Sequence, residues 1–360
     1  RHEFRATVEG TEPRYPIAIL VNAGSASASE IVAGEADPET LGVTAIDDYT
    51  LEVKLTGPLP YFPQMVTHTT TFPVPQATIE EHGDAWTQPG NMVSNGAYVL
   101  EDRGPQEYIP LAKNPEYWDA ENVIIEEVKA LIINDENQAL TRYLAGEFDQ
   151  TDVPAGQFPR LAEEHPEQAI SVPNLCTYYY NLNVSESGPE ALADPKVREA
   201  LYLAIDRDVI GENVVAGGQK PAYTLTHWAT AGFEVPSAEA AQMSQQERNE
   251  RAKQLMSEAG YGKDGEALTL DLLYNTSESH KQVATAIGQM WKQTLGVDIS
   301  MANMEWQTFL EERHNRNYEV ARAGWCADYN EASSFLDIMD TNSSYNDSGF
   351  NNETYDSLLT

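Results

Sequence analysis

The sequence has few positive charges: its 360 residues hold 22 Lys and Arg against 57 Asp and Glu, a formal net charge of -35 at pH 7. Nucleic-acid binding depends on clustered Lys and Arg, and no such cluster is present, so this class of function is excluded. Long apolar runs are also missing, because no stretch approaches the roughly 20 apolar residues of a membrane span. The acidic excess indicates a strongly hydrated, salt-compatible surface rather than a ligand-selecting feature.

Motifs for common catalytic and metal sites are absent as well. There is no phosphate-binding P-loop, no Rossmann glycine fingerprint, no H-E-x-x-H and no paired C-x-x-C. The seven histidines are scattered, and none lie four residues apart as in a helical zinc site. We therefore predict no metal and no cofactor. The two cysteines, Cys176 and Cys326, are compatible with buried thiols or with one disulfide, and their spacing alone does not decide between them.

Strand and helix patterns alternate along the second half of the chain. We predict strands at 178–182, 268–274, 297–301 and 318–323, and helices that begin at Pro195 and Ser244 and span 281–295 and 306–314. Asp194 caps the first of these helices, whose apolar face is predicted to comprise Val197, Leu201, Ala204, Ile205 and Val209. Ser244 and Glu247 form a capping box. This alternation predicts an α/β domain whose sheet has parallel neighbours, with ligands bound beyond the carboxyl ends of its strands.

The first 34 residues differ from the rest. A strand-like stretch followed by G-S-A-S-A-S-E at 24–30 resembles the nucleophile turn of carboxyl-terminal processing serine proteases, with Ser27 at the nucleophile position. The next lysine, Lys54, is in a different context from that family's base, and a serine without its base is a poor nucleophile. A joined protease fragment or a coincidental small-residue loop both explain the segment, and neither predicts a working protease.

From about Ala33 onward the sequence resembles the periplasmic oligopeptide-binding proteins of bacterial ABC importers. The shared motifs occur in the family's order: T-F-P-V-P at 71–75, S-N-G-A-Y at 94–98, N-P-E-Y-W at 114–118, R-Y-L-A-G-E-F-D at 142–149 and W-C-A-D-Y-N-E at 325–331. The resemblance implies a type II-like, two-lobed α/β binding protein, here a partial chain without the family's N-terminal segment and C-terminal tail. Residues 35–175 would be the remainder of the first lobe and its satellite domain, and residues 176–360 most of the second, peptide-binding lobe.

The resemblance also implies the residues of the site. Asp328 corresponds to the carboxylate that holds the α-ammonium group of the peptide, and the cations that receive the peptide carboxylate correspond to Arg313, Arg322 and His280. A further family lysine is replaced by Val215, which affects the preferred peptide length. The residues that correspond to the lining of the side-chain pockets are Trp306, Trp325 and Tyr179. Cys176 and Cys326 correspond to the family's disulfide.

The implied function is capture of short peptides for import, without catalysis. The implied partners are short peptides and the permease subunits of an ABC transporter, the implied location is the periplasm, and the protein is expected to be monomeric. Murein tripeptide binding for cell-wall recycling is the alternative within the same family, and a serine protease that uses Ser27 is a remote one.

Overall fold

The computed structural model describes residues 17–18, 42–47, 49–55, 57–102, 108–263 and 265–359. The chain forms two compact units, the first ending at Ile133 and the second beginning at Asn134. Apart from the strand Ile17–Ala18, the protease-like segment predicted at 1–34 lies outside the described residues, and so does Ser27. The predicted lobe limits around residue 175 stay predictions.

The first unit contains short strands in three small sheets. Its strands are β1 (Ile17–Ala18), β2 (Val43–Asp47), β3 (Thr50–Val53), β4 (Val74–Pro75), β5 (Tyr98–Leu100), β6 (Tyr108–Lys113) and β7 (Glu127–Leu131). β1 pairs with β4, β2 with β3, and β5, β6 and β7 form a three-stranded antiparallel sheet. Its helices are α1 (Phe62–Met65) and α2 (Gln76–His82), with 3₁₀ turns at Thr69–Thr71, Gly83–Thr87 and Ala120–Asn122.

Two of the motifs singled out in the sequence contact each other in this unit. The side chain of Asn114 is buried, and its Nδ2 donates to the carbonyl oxygens of Ser94 at 3.2 Å and Gly96 at 2.8 Å. A buried amide must find such partners, because an unpaired polar group costs about 1–3 kcal/mol. The asparagine of N-P-E-Y-W therefore holds the turn formed by S-N-G-A-Y.

The second unit contains the remaining helices and a four-stranded sheet. Its helices are α3 (Glu136–Leu144), α4 (Phe158–Glu164), α5 (Glu190–Ala193), α6 (Pro195–Leu203), α7 (Arg207–Val209), α8 (Glu239–Gln242), α9 (Gln245–Glu258), α10 (Glu278–Leu295), α11 (Trp306–His314), α12 (Ser333–Leu336) and α13 (Glu353–Leu359). A π-helical turn spans Ile210–Val215 and a 3₁₀ turn spans Asp337–Met339. The strands are β8 (Cys176–Leu182), β9 (Thr269–Asn275), β10 (Asp298–Met304) and β11 (Val320–Cys326).

The strand order in this sheet is β10-β9-β11-β8. β9 is parallel to both β10 and β11, whereas β8 runs antiparallel to β11. The predicted α/β domain with parallel neighbours is thus confirmed. The end of β11 faces the start of β8, where Cys326 is opposite Cys176.

Two apolar clusters cover the sheet. The larger one joins α6, α9 and α10 to strand residues such as Leu272 and Val320. Within it Trp291 is 1% exposed, and its indole N–H donates to the carbonyl oxygen of Leu201 at 2.9 Å. The smaller cluster comprises Leu273, Phe309, Tyr318 and Ala321. Since Ala321 follows Val320, the clusters lie on opposite faces of the sheet.

The capping signals read from the sequence are present. Ser244 and Glu247 form the reciprocal capping box of α9, and Asp194 accepts a hydrogen bond from the backbone N–H of Lys196 at the start of α6. Gly296 ends α10 with a φ of 78°, a left-handed conformation that glycine adopts without strain.

The predicted continuation of the helix beyond residue 203 is wrong. α6 ends at Leu203, and Asp206 caps a new turn by accepting a hydrogen bond from the N–H of Val209. Val209 therefore does not continue the buried face of Val197 and Leu201, and it is 37% exposed.

Candidate functional site

The predicted site residues of β8 and β11 divide between the two faces of the sheet. Arg322 of β11 is opposite Tyr180 of β8, whereas Ala323 is opposite Tyr179 and Trp325 is opposite Thr177. Because successive side chains of a strand alternate, Arg322 shares a face with Tyr180, and Trp325 and Tyr179 lie on the other face.

His280 and Arg322 meet on the first of these faces. His280 lies in the first turn of α10, and its Nδ1 is 3.3 Å from the hydroxyl oxygen of Tyr178. The guanidinium of Arg322 lies over the ring of Tyr178, 4.8 Å from its centroid. Its Nη1 donates a long hydrogen bond of 3.4 Å to Oδ1 of Asn275. The structure thus brings two of the three predicted cations together around one tyrosine.

The Nε of Arg322 is buried and has no hydrogen-bond partner among the described residues. A buried donor left unpaired costs about 1–3 kcal/mol, and more when it is charged. A carboxylate would satisfy it, since the guanidinium fork matches carboxylate geometry.

Burial, with the nearby charge of Arg322 as a second cause, lowers the pKa of His280 to about 4. The imidazole is therefore neutral at pH 7 while no anion is bound. In this state it can donate one hydrogen bond and accept another, and a neighbouring carboxylate would shift its pKa upward.

Arg313, the third predicted cation, is already paired. Its Nε lies 2.7 Å from Oδ2 of Asp347, an ionic contact in which the N–H is not aligned for a hydrogen bond. Both side chains are largely buried, and Nδ1 of His314 lies 3.7 Å from the other carboxylate oxygen. Burial raises the pKa of Asp347, and the positive charge of Arg313 opposes that shift.

The predicted pocket aromatics lie in different surroundings. Trp325 packs edge-on against Tyr345 with ring centroids 4.9 Å apart, and its indole N–H is buried without a hydrogen-bond partner among the described residues. Burial raises the pKa of Tyr179 to about 12, against the opposing charge of Arg313. Trp306 begins α11, is 46% exposed and stacks on Phe309 at 6.0 Å.

Asp328 lies in the loop that follows β11, two residues after Cys326. Its backbone N–H donates to Oγ of Ser334 at 2.9 Å. Asn330 in the same loop accepts a hydrogen bond of 2.7 Å from the N–H of Ala231. These two hydrogen bonds hold the loop at the carboxyl end of β11, the end at which the sequence analysis predicted ligand binding.

The structure forms the disulfide between Cys176 and Cys326, which the family resemblance implied and the spacing left open. The bridge closes the end of the β8–β11 ladder, and the N–H of Ala327 adds a 2.9 Å hydrogen bond to the carbonyl oxygen of Leu175. The chain is therefore anchored immediately before Asp328.

Sequence reasoning missed Tyr178, Asn275 and Asp347. Strand alternation groups Tyr178 with Tyr180, but only the register of β8 against β11 places both on the face of Arg322. Asn275 and Asp347 carry no local signal: each is identified only by its contact with an arginine distant in sequence.

Among the described residues no group of three or more His, Cys, Asp or Glu side chains is arranged to hold a metal ion. None of the helices in the described ranges is both long and apolar enough to span a membrane.

Comparison with known proteins agrees with the fold and the motifs. The sequence profile of the bacterial extracellular solute-binding proteins, family 5 Middle, matches residues 14–347. The chain belongs to this family of extracellular solute-binding proteins.

Individual relatives narrow the comparison. The periplasmic oligopeptide-binding protein OppA of Escherichia coli is 45% identical over 93% of this chain and 61% of its own length. The periplasmic murein peptide-binding protein MppA of the same species is 44% identical over 94% of this chain and 62% of its own. The solved structure of MppA superimposes with a TM-score of 0.86, covering 92% of this chain and 64% of the other.

A third relative has a peptide in its structure. Haemophilus influenzae OppA in complex with the peptide RPPGFSPFR superimposes with a TM-score of 0.82 at 36% identity, over 91% of this chain and 64% of the other. The chain thus spans a little over three fifths of the length of the relatives it matches.

Proposed function

We propose that this protein binds short peptides with free termini in the periplasm and passes them to an ABC importer. The observation that carries the proposal is the buried Nε of Arg322, which has no hydrogen-bond partner among the described residues and lies near a neutral His280. The cost of such a donor is recovered when an anion binds. A relative named for oligopeptide binding is 45% identical to this chain, and the fold matches that of another solved with a bound peptide.

In this proposal Asp328 holds the α-ammonium group of the peptide, and Arg322 with His280 receives the carboxylate of one ligand length. A desolvated carboxylate selects a free amine, because an acylated nitrogen carries no positive charge to offset the cost of desolvation. The loop containing Asp328 is well suited to this role, since its backbone is held by Ser334 and its position by the disulfide.

Arg313 would bind the carboxylate of peptides of a different length. Its Nε faces Asp347, so a ligand carboxylate would have to bind at its terminal Nη groups. Val215, at the position of a family lysine, removes one further carboxylate position. We therefore propose a narrower range of accepted lengths than a site with all four cations.

The aromatic residues Tyr179, Trp325 and Trp306 would line the side-chain pockets. The unpaired indole N–H of Trp325 offers a donor to a polar side chain or to a bridging water, which suits broad tolerance of peptide sequence. We also propose that residues 35–175 and 176–360 belong to two lobes, and that a monomer presents them to the permease subunits.

Thermal unfolding with three ligands tests the function. Trialanine, N-acetyl-trialanine and trialanine amide are each added to the protein, and a ligand at about 100-fold excess over its Kd adds about 2.7 kcal/mol to the stability of the folded state. We expect only trialanine to raise the unfolding midpoint fully. Equal shifts with all three peptides would refute the proposed roles of Asp328 and Arg322.

Murein tripeptide binding is the second candidate, favoured by the 44% identity to MppA and its TM-score of 0.86. Competition calorimetry with the murein tripeptide L-Ala-γ-D-Glu-meso-diaminopimelate and trialanine distinguishes the two. Tighter binding of the murein peptide would favour cell-wall recycling, and tighter binding of trialanine would favour general peptide import.

A further inference from the structure

Residues 134–175 precede the four-stranded sheet, and their buried apolar side chains lie outside the clusters that cover it. Leu140 of α3 and Leu161 of α4 are 6% and 4% exposed, yet neither belongs to the two apolar clusters that cover the sheet. This segment is therefore not part of the main core of its unit.

Polar contacts link this segment to the rest of the unit. The N–H of Gly156 donates to the carbonyl oxygen of Val215 at 2.9 Å, and Oγ of Ser171 donates to the carbonyl oxygen of Gly217 at 2.8 Å. Such contacts position two parts of a chain without the large apolar burial that would join them permanently.

The third link is made by a carboxylate. Glu136, at the first position of α3, accepts a hydrogen bond of 3.0 Å from Oγ of Ser277 and a short one from Oγ of Ser279. Ser277 is the N-cap of α10, and its Oγ also accepts a 3.4 Å hydrogen bond from the backbone N–H of His280. A negative charge at a helix N-terminus is favourable as well, because the helix dipole is positive there.

This contact lies one turn from the predicted carboxylate site. His280 is the third residue of α10, and its ring faces Tyr178 of β8 and the charge of Arg322 of β11. The orientation of that ring depends on the backbone of the first helical turn, which Glu136 fixes through the two serines.

We propose that Glu136 is a positioning residue of the peptide-carboxylate site: it holds the first turn of α10 so that His280 is presented beside Arg322. The proposal rests on the proposed peptide-binding function. Glu136 lies outside the sheet, 144 positions before His280 in the chain. It acts on the site indirectly, through Ser277 and Ser279.

The test compares the affinities for trialanine and trialanine amide, measured by calorimetry, in the wild type and in Glu136→Ala. A loosened His280 weakens only the interaction with a carboxylate, so we expect about tenfold weaker binding of trialanine and unchanged binding of the amide. Ser279→Ala, which removes a donor to Glu136 and leaves the N-cap Ser277 in place, is expected to act in the same direction, and its combination with Glu136→Ala to add nothing further, since the two side chains form one contact.

Glu147→Ala is the matched control. Glu147 lies on the same segment, and its carboxylate pairs with Nε of Arg142 at 2.7 Å, away from α10. We expect this variant to bind both peptides as the wild type does. Equal weakening of both peptides in Glu136→Ala, or no change in either, would overturn the proposal.

A second measurement separates this proposal from the proposed function. The imidazole of His280 is titrated by NMR in the ligand-free protein, with His280→Gln used to assign its signal. In Glu136→Ala we expect the pKa to move from about 4 toward 6.5, because a loosened ring is better hydrated. If the wild type binds neither peptide, the peptide function fails, and the titration alone decides: a shifted pKa supports the positioning role, and an unchanged one rejects it.

Discussion

Replacing Arg322 by methionine should have opposite effects on stability and on binding. The folded, ligand-free protein keeps the Nε of Arg322 buried and unpaired, at a cost of about 1–3 kcal/mol. Methionine removes this donor and keeps an unbranched side chain of about the length of the arginine's apolar stem. The loss of the contact with the Tyr178 ring, at 4.8 Å, subtracts about 0.5–1 kcal/mol. The hydrogen bond to Asn275, at 3.4 Å, is lost as well, so the free energy of unfolding should stay constant or rise by up to about 2 kcal/mol.

Peptide binding should fall sharply in the same variant. Truncating one partner of a buried, hydrogen-bonded charge pair costs about 2–5 kcal/mol, which corresponds to roughly 30-fold to 4,000-fold in Kd. Peptides with a free carboxylate should lose this affinity, whereas the corresponding amides should bind as tightly as they do to the wild type.

Urea unfolding without ligand and calorimetry with trialanine and its amide measure the two effects. Arg160→Met is the control, because Arg160 is exposed and its ion pair with Glu164 lies within α4. Such surface pairs contribute about 0–1 kcal/mol, so neither stability nor binding should change much. The reasoning is refuted if the free energy of unfolding of Arg322→Met falls by more than about 1 kcal/mol, the typical cost of a single substitution, or if both peptides lose affinity equally.

Three further predictions concern the second unit. Cys176→Ser/Cys326→Ser opens a loop of 150 residues and should cost about 5 kcal/mol in the loop-entropy relation, a fall of roughly 10–20 °C in a thermal scan, and a reductant should lower the wild type to the same midpoint. His280→Gln should lose less stability than the wild type between pH 7 and pH 4, by about 1–3 kcal/mol in urea titrations. The folded pKa of about 4 lies below the ordinary 6.5, so the contribution of His280 is complete above 6.5 and is lost as the pH falls toward 4; parallel curves would contradict it. Asn183→Ala should cost about 2–4 kcal/mol, because the fully buried amide donates 2.9 Å hydrogen bonds to two carbonyl oxygens, one of them that of Tyr318; a loss below 0.5 kcal/mol in urea unfolding would show that these carbonyls find other partners.

Local signals predicted the helices of the second unit best. The α11 helix has the predicted bounds, Trp306–His314, and the capping box of α9 is formed by the predicted pair. In both cases the information lies within a few residues of the helix end. Where a second cap was overlooked, as at Asp206, the prediction joined two helices into one.

Strand limits depended on partners distant in sequence. The strand predicted at 318–323 is found at Val320–Cys326, because pairing with β8 continues to the disulfide. Gly324 gives no local indication of a strand, and only the opposite residues of β8 define its end.

In the candidate site, too, contacts between residues distant in sequence could not be predicted. Arg322 and His280 were predicted from the family resemblance, and the structure places them around Tyr178. The pairing of Arg313 with Asp347 joins residues 34 positions apart through a turn that has no motif. Charge compensation of this kind could not be predicted without the fold.

The position of β11 has a consequence for the order in which the protein assembles. β11 is the last of the four strands in sequence, but it lies between β9 and β8 in the sheet. β8 is synthesised some 150 residues earlier and pairs with no other strand among those described. It therefore cannot join the sheet until β11 has been made. Contacts this distant in sequence form slowly, so the half-made sheet exists for a period with an open edge. A shortened product that stopped before Val320 would therefore lack one of the two interior strands and leave β8 without its partner, even if all of its helices formed.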